Sequence, residues 1–208
     1  MRRGRQLVLS ATYHESTLKD LISFSFGGFP NGTNFENISK VEIKGVELSL
    51  ALVDFRGFTV RANWNYLDTI VADDRGGRGG QDFRQGQGLL RRPHWWWSGS
   101  ASYHPGRFRA TLSLHEVGER PDRDFRPLLA GSFAFPRVHN SSYLRTDLTL
   151  GYDLIQDGKP ALPGLALPRV QRLAVELKVN NLADKDYDEV FGFNAPGINW
   201  MAGLRLHF

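Results

Sequence analysis

From Asn199 to Phe208 the chain alternates without a break. Trp200, Ala202, Leu204, Leu206 and Phe208 take one side, and Asn199, Met201, Gly203, Arg205 and His207 take the other. A repeat of two residues places these sets on opposite faces of a β-strand. A soluble sheet would bury the apolar face and wet the polar one. A transmembrane barrel would turn the apolar face to lipid and the polar face to its lumen. This strand alone leaves both open, although a strand that ends on a bare aromatic favours the barrel.

The same period recurs upstream. Gln6 to His14 places Leu7, Leu9, Ala11 and Tyr13 together. A turn is expected at Glu15-Ser16-Thr17, and Leu18 to Phe26 then aligns Ile22, Phe24 and Phe26. Val41 to Val53 aligns Val46, Leu48, Leu50 and Leu52, and Phe58 to Ile70 sets Trp64 and Tyr66 against Arg61 and Asn63. Pro93 to Tyr103, Phe108 to Val117, Tyr143 to Leu154, Val170 to Leu182 and the final segment complete nine expected strands. No helix of any length is expected. The chain has 208 residues, enough for one ordinary domain. It holds no run of about 18 apolar residues, so no transmembrane helix is expected, but a strand that is only half apolar needs none.

The connections decide between the two sheets. They alternate long and short, with one exception at Gln156 to Pro168. Trp64, Tyr66, Trp95 and Trp97 lie at long-loop ends, and Phe58, Tyr103, Phe108, Tyr152 and Phe208 at short-turn ends. Two aromatic girdles are expected where amphipathic rings meet lipid headgroups. A soluble sandwich has no reason to sort its aromatics so. The expected fold is all-β, an antiparallel transmembrane β-barrel.

The segment Asn180-Asn181-Leu182, then Asp184-Lys185-Asp186-Tyr187, Pro196-Gly197 and the last strand resemble the C-terminus of TonB-dependent outer-membrane receptors, most closely those for vitamin B12 and siderophores. Gly45-Val46-Glu47-Leu48 and Lys19-Asp20-Leu21-Ile22 resemble the family too, while Ala183 and Ile198 replace its commoner Phe and Arg. The resemblance implies that residues 1–208 are the last strands of a barrel of about 22 strands with a plugged lumen. The signal peptide, plug and earlier strands are expected elsewhere, and the isolated segment is expected not to transport. The implied function is energy-coupled uptake of a metal chelate, cobalamin or iron–siderophore, at the outer membrane of a Gram-negative cell. The implied partners are outer-membrane lipid, the TonB complex through the absent N-terminal part, and the chelate itself. The barrel-assembly machinery would read the last strand through Trp200, Leu204, Leu206 and Phe208.

Site candidates follow from that frame. Loops carry binding while strands hold them in place, so Phe29, Asn34, Phe83, Arg84, Phe125, Phe133, Tyr187, Phe191 and Phe193 are candidates for substrate contact. Arg61, Asn63, Arg109, Arg145, Glu176, Lys178 and Arg205 are expected to face the lumen as polar wall. No catalytic residues, cofactor or metal site are expected. There is no cysteine, the six histidines lie on different strands and turns, and Asp73-Asp74 and Asp122-Arg123-Asp124 read as solvated loop carboxylates. The net charge of +4 is scattered, which argues against nucleic acid as a partner, and Arg75 to Gly80 reads as a flexible loop. The alternatives are a pore-only or enzymatic outer-membrane barrel and a soluble β-sandwich binding module.

Overall fold

Alternation along each segment becomes one antiparallel wall in the computed structural model, which describes residues 5–24, 32, 34–74, 83–131, 135–165 and 167–208. The elements are β1 (Gln6–Phe24), β2 (Phe35–Phe55), β3 (Phe58–Asp73), β4 (Trp95–Tyr103), β5 (Phe108–Val117) and β6 (Arg120–Arg123). A 3-10 turn (Arg126–Ala130) precedes β7 (Arg137–Asn140), β8 (Tyr143–Gln156), β9 (Lys159–Pro160) and β10 (Arg172–Asn180). Two short strands, β11 (Asp188–Val190) and β12 (Phe193–Asn194), lead to β13 (Asn199–His207). The wall runs β1-β2-β3-β4-β5-β8-β10-β13, and its edges, β1 and β13, are paired on one side only among the described residues.

The register carries each apolar face onto the next. Leu9 pairs with Leu50, Leu50 with Ala62, Ala62 with Gly99 and Ala101 with Leu112. Leu112 pairs with Leu148, Leu150 with Leu177 and Val175 with Leu204. Trp64 faces Trp97 and Tyr66 faces Trp95 at the long-loop end, while Phe58 faces Tyr103 and Phe108 faces Tyr152 at the other. From Phe58 to Tyr66 is about 26 Å of strand, which at the tilt of outer-membrane strands rises about 20 Å, within the apolar band of about 25 Å expected of such a wall. Leu9, Tyr13, Trp64, Leu112, Trp200 and Leu204 are all exposed. A sandwich would bury such residues between its sheets. Among the described residues the buried apolar clusters are instead small and lie at the wall's two ends, Val41 with Val71 and Ile155 with Val170 and Leu173.

One expectation needs correction. The turn at Glu15-Ser16-Thr17 does not form, and β1 is one strand of 19 residues paired with β2 of 21 residues. Two of the expected strands are therefore one, and the sheet reaches nine strands with the short β9, which pairs with β8. About 10 residues of tilted strand cross a bilayer, so half of this hairpin stands clear of it. There charge replaces apolar alternation: Glu15 pairs with Lys44 at 3.6 Å, and Lys40 with Glu42 at 2.5 Å. The exception on the short-turn rim is also resolved. Asp157 and Gly158, at φ of 52° and 70°, turn the chain so that β9 folds back on β8. Among the described residues the 3-10 turn over Arg126–Ala130 is five residues long.

Candidate functional site

On the polar face the structure assembles a charge ladder toward the short-turn end. Arg109 Nη1 lies 2.7 Å from Asp153 Oδ1, which Arg172 Nε also meets at 3.0 Å. Arg205 Nη2 lies 3.2 Å from Glu176 Oε2. Arg109 reaches across Gly151, where a Cβ would come within 3.1 Å of its Nη2. Higher up, Arg61, Asn63, Ser100, His115 and Arg145 line a hollow of about 380 Å³, and Arg145 pairs with Asp147 at 3.2 Å. Lys178 shares this face, opposite Thr149 and Met201. Arg61, Asn63, Arg109, Arg145, Glu176, Lys178 and Arg205 lie on one face of the wall.

Above the wall, three long connections are tied into one body. The β6–β7 hairpin stands over the rim, and its Asp122 is fully buried. Arg91 Nε donates to Asp122 Oδ1 at 2.8 Å, Arg123 N donates to the same oxygen at 2.8 Å, and Phe191 N donates to Oδ2 at 2.9 Å. Burial pushes the Asp122 carboxyl up, but the Arg91 hydrogen bond and the two backbone amides outweigh it and hold the group below the usual carboxylate range. Arg120, also buried, donates through Nη2 to the carbonyls of Asp188 at 2.6 Å and Glu189 at 2.9 Å, with Tyr143 beneath its guanidinium. Arg137 Nη2 donates to the Gly88 carbonyl at 2.6 Å, joining the β3–β4 connection to the same hairpin. The reading of Asp122 as a solvated carboxylate is therefore wrong. It is the knot of the cluster.

The Asn181 to Tyr187 segment has a mechanical explanation. Asn181 is buried with φ of 51°. Its amide nitrogen donates to the carbonyls of Lys185 at 3.0 Å and Pro196 at 3.3 Å, and its Oδ1 accepts from Lys185 N at 2.9 Å. Asp184 Oδ1 accepts from Ile198 N at 2.7 Å, so both ends of the last long loop are pinned beside β13. Tyr187 then stacks on Tyr143 with ring centres 4.2 Å apart.

The candidates for substrate contact divide. Phe125, Phe191, Phe193 and Tyr187 converge on this cluster, and Arg126, itself paired with Asp124, covers the Phe191 ring at 4.8 Å. Phe125 and Phe193 wall a cleft of about 520 Å³ that Arg91, Glu189, Val190 and Pro196 also line. Phe83 instead packs on the Val41–Val71 cluster, Arg84 is exposed in its loop, and Asn34 stands apart at the start of β2. Phe29 and Phe133 lie outside the described residues, as does the Arg75 to Gly80 stretch. Sequence reasoning did not single out Arg91, Arg120 or Asn181 as site residues. The signal available for the first two was an unusual density of arginine beside two aspartates, Asp122 and Asp124, with nothing to say which would pair.

The family model for the TonB dependent receptor-like β-barrel matches residues 2–182. Its match ends before most of the C-terminal segment described above, so the two signals come from different stretches. Solved structures with this fold include the siderophore receptor PiuA from Acinetobacter baumannii, 16% identical with a TM-score of 0.66 over 95% of this chain and 26% of that one. The pyoverdine outer membrane receptor FpvA from Pseudomonas aeruginosa PAO1 is 19% identical with a TM-score of 0.67, over 97% of this chain and 27% of its own. The FrpB iron transporter from Neisseria meningitidis is 14% identical with a TM-score of 0.65, over 95% and 28%. At such identities the likeness is one of fold, and the chain spans about a quarter of the length of these proteins. A lipid-directed wall, its polar lining and a family match over most of its length have one common reading: the chain belongs to the TonB-dependent receptor β-barrel family.

Proposed function

We propose that residues 1–208 form the C-terminal wall and part of the outer loop rim of a receptor for energy-coupled uptake of a metal chelate. The plug, the TonB-contacting segment and the earlier strands belong to the rest of that receptor, and this segment alone does not transport. The observation that carries the reading is the cleft between Phe125 and Phe193, held on a loop cluster above a polar wall. Aromatic walls with a few placed polar groups suit a small ligand. An iron–siderophore complex is favoured over cobalamin, because PiuA and FpvA, which share the fold, are siderophore and pyoverdine receptors. The wall's role is to position loops and not to catalyse. Its lipid-facing strand β13 offers an apolar edge for pairing, which is what an assembly machine in the membrane would engage.

Deletion of the whole receptor gene, followed by growth on defined siderophores or vitamin B12 as the limiting source, tests this. Loss of growth on one chelate supports the reading. Unchanged uptake of all of them overturns it.

A further inference from the structure

At the short-turn end two arginines gather on one ring. Arg5 continues the parity of Leu7 and Leu9 on the outward face, and its guanidinium lies 5.3 Å from the centre of the Phe55 ring. Arg56, in the β2–β3 turn, lies 5.7 Å from the same centre. Arg5, Phe55 and Arg56 are all exposed. Among the described residues neither guanidinium has a hydrogen bond or an ion pair to the protein, and the carboxylate of Asp54, in the same turn, pairs with neither. The backbone is left-handed at Asp54, Arg56 and Gly57, with φ of 56°, 54° and 85°. Glycine holds that conformation freely and aspartate tolerates it, but an arginine there is uncommon. Phe55 pairs across the turn with Phe58, which stacks on Tyr103 with ring centres 4.3 Å apart. These rings belong to the aromatic belt of this rim, so the two guanidiniums stand at the depth of lipid headgroups. Two like charges on one ring repel each other, and an anion held between them offsets that repulsion.

We propose that Arg5 and Arg56, with Phe55 between them in the contact, form a clip for the phosphate of an anionic glycerophospholipid in the periplasmic leaflet. Short turns face the periplasm in walls of this kind, so the headgroups met at this rim are those of that leaflet. A guanidinium fork matches phosphate oxygens in pairs. The Phe55 ring lies where headgroup gives way to acyl chain, a level that suits aromatic side chains. A zwitterionic headgroup carries its own cation beside the phosphate and gains less from two more. The clip depends on the outward face of the wall meeting lipid, not on what the receptor carries.

The test uses the full-length receptor in detergent, titrated with short-chain phosphatidylglycerol or phosphatidylcholine and read as bound lipid by native mass spectrometry. The wild type is expected to prefer phosphatidylglycerol by roughly 25-fold, about fivefold from each basic residue beside an anionic lipid. Arg5→Gln and Arg56→Gln each remove about fivefold of that preference, and the double variant binds both lipids alike. Phosphatidylcholine binding and thermal unfolding stay unchanged in all three, which shows the wall intact. Arg5→Lys/Arg56→Lys keeps most of the preference. Lys159→Gln, which removes a charge from β9 at the same rim, moves nothing. Equal binding of the two lipids by the wild type overturns the proposal. So does a loss in Lys159→Gln equal to that in Arg56→Gln, which would make the attraction a diffuse charge of the rim. Displacement of phosphatidylglycerol by equimolar inorganic phosphate would make this a site for a free anion, and that overturns it too. Absence of chelate uptake in cells would remove the transport reading and leave each of these lipid outcomes standing.

Discussion

Asp122→Ala should open the loop cluster without disturbing the wall. The carboxylate is fully buried and accepts three hydrogen bonds, from Arg91 Nε, Arg123 N and Phe191 N. Truncation leaves two backbone amides without acceptors in a site closed to water, at about 1–3 kcal/mol each. Arg91 is half-exposed and can rehydrate, so its loss adds little. The sum is about 2–6 kcal/mol, a fall in local protection of roughly 30-fold to 10⁴-fold. It should register by hydrogen exchange of the full-length receptor in residues 118–142 and 182–198, while β5 and β8 stay protected. Asp122→Asn keeps one acceptor oxygen and should fall between. Unchanged exchange in 182–198 would refute the clasp.

The pH dependence has a definite sign. Asp122 is held below the usual carboxylate range, so the folded cluster binds its proton more weakly than the open loop does. Its contribution is therefore complete at neutral pH and is lost only as pH falls below about 4 and on through the lower folded value. Protection of residues 182–198, corrected for intrinsic exchange, should be flat from pH 8 to pH 5.5. A transition within that range would show that a group other than Asp122 governs the cluster.

Leu204→Arg places charge on the apolar face of β13 near the middle of the bilayer and should cost about 2–4 kcal/mol, lowering receptor at the cell surface. Arg205→Leu, on the polar face, should cost far less, and equal losses would show the faces to be wrongly assigned. Gly45→Ala should cost less than the roughly 1–3 kcal/mol of core overpacking, because its Cβ would meet only the outer end of the His14 ring, a partly exposed side chain that can swing away. His14→Ala should rescue it in thermal unfolding, and failure of that rescue would point to a backbone cause. Phe208→Ala removes an exposed terminal ring worth roughly 1.5–3 kcal/mol when buried in lipid. It should reduce the amount assembled in the outer membrane, and wild-type levels there would show that assembly does not depend on the ring.

The two faces of the wall were legible in the sequence because they are set locally. A strand between lipid and water needs only its own period of two to know which way Leu204 and Arg205 point. The long first hairpin was misread for a related reason. Glu15-Ser16-Thr17 interrupts the apolar period, but it contains no glycine, proline or asparagine to turn the chain. Beyond the bilayer a strand is free to be polar, and Glu15 is satisfied across the ladder by Lys44. The β9 hairpin had a readable signal in Asp157-Gly158, a dipeptide suited to a two-residue turn of positive φ.

The loop cluster follows a different logic. Asp122 is joined to Arg91 across 31 residues and to Phe191 across 69, and Arg120 reaches Glu189 across 69. No local pattern encodes such pairs, since a charged residue in a loop reads as solvated until something shuts water out. Here three loops shut it out for one another, each supplying donors that another's acceptor requires. A wall residue can be exchanged for any other of its polarity at modest cost, because lipid or lumen defines its place. Asp122 has no such tolerance: its place is defined by Arg91, Arg123 and Phe191 together. The cleft walled by Phe125 and Phe193 owes its shape to that mutual arrangement, which makes the least readable residues of the chain those that shape the cleft.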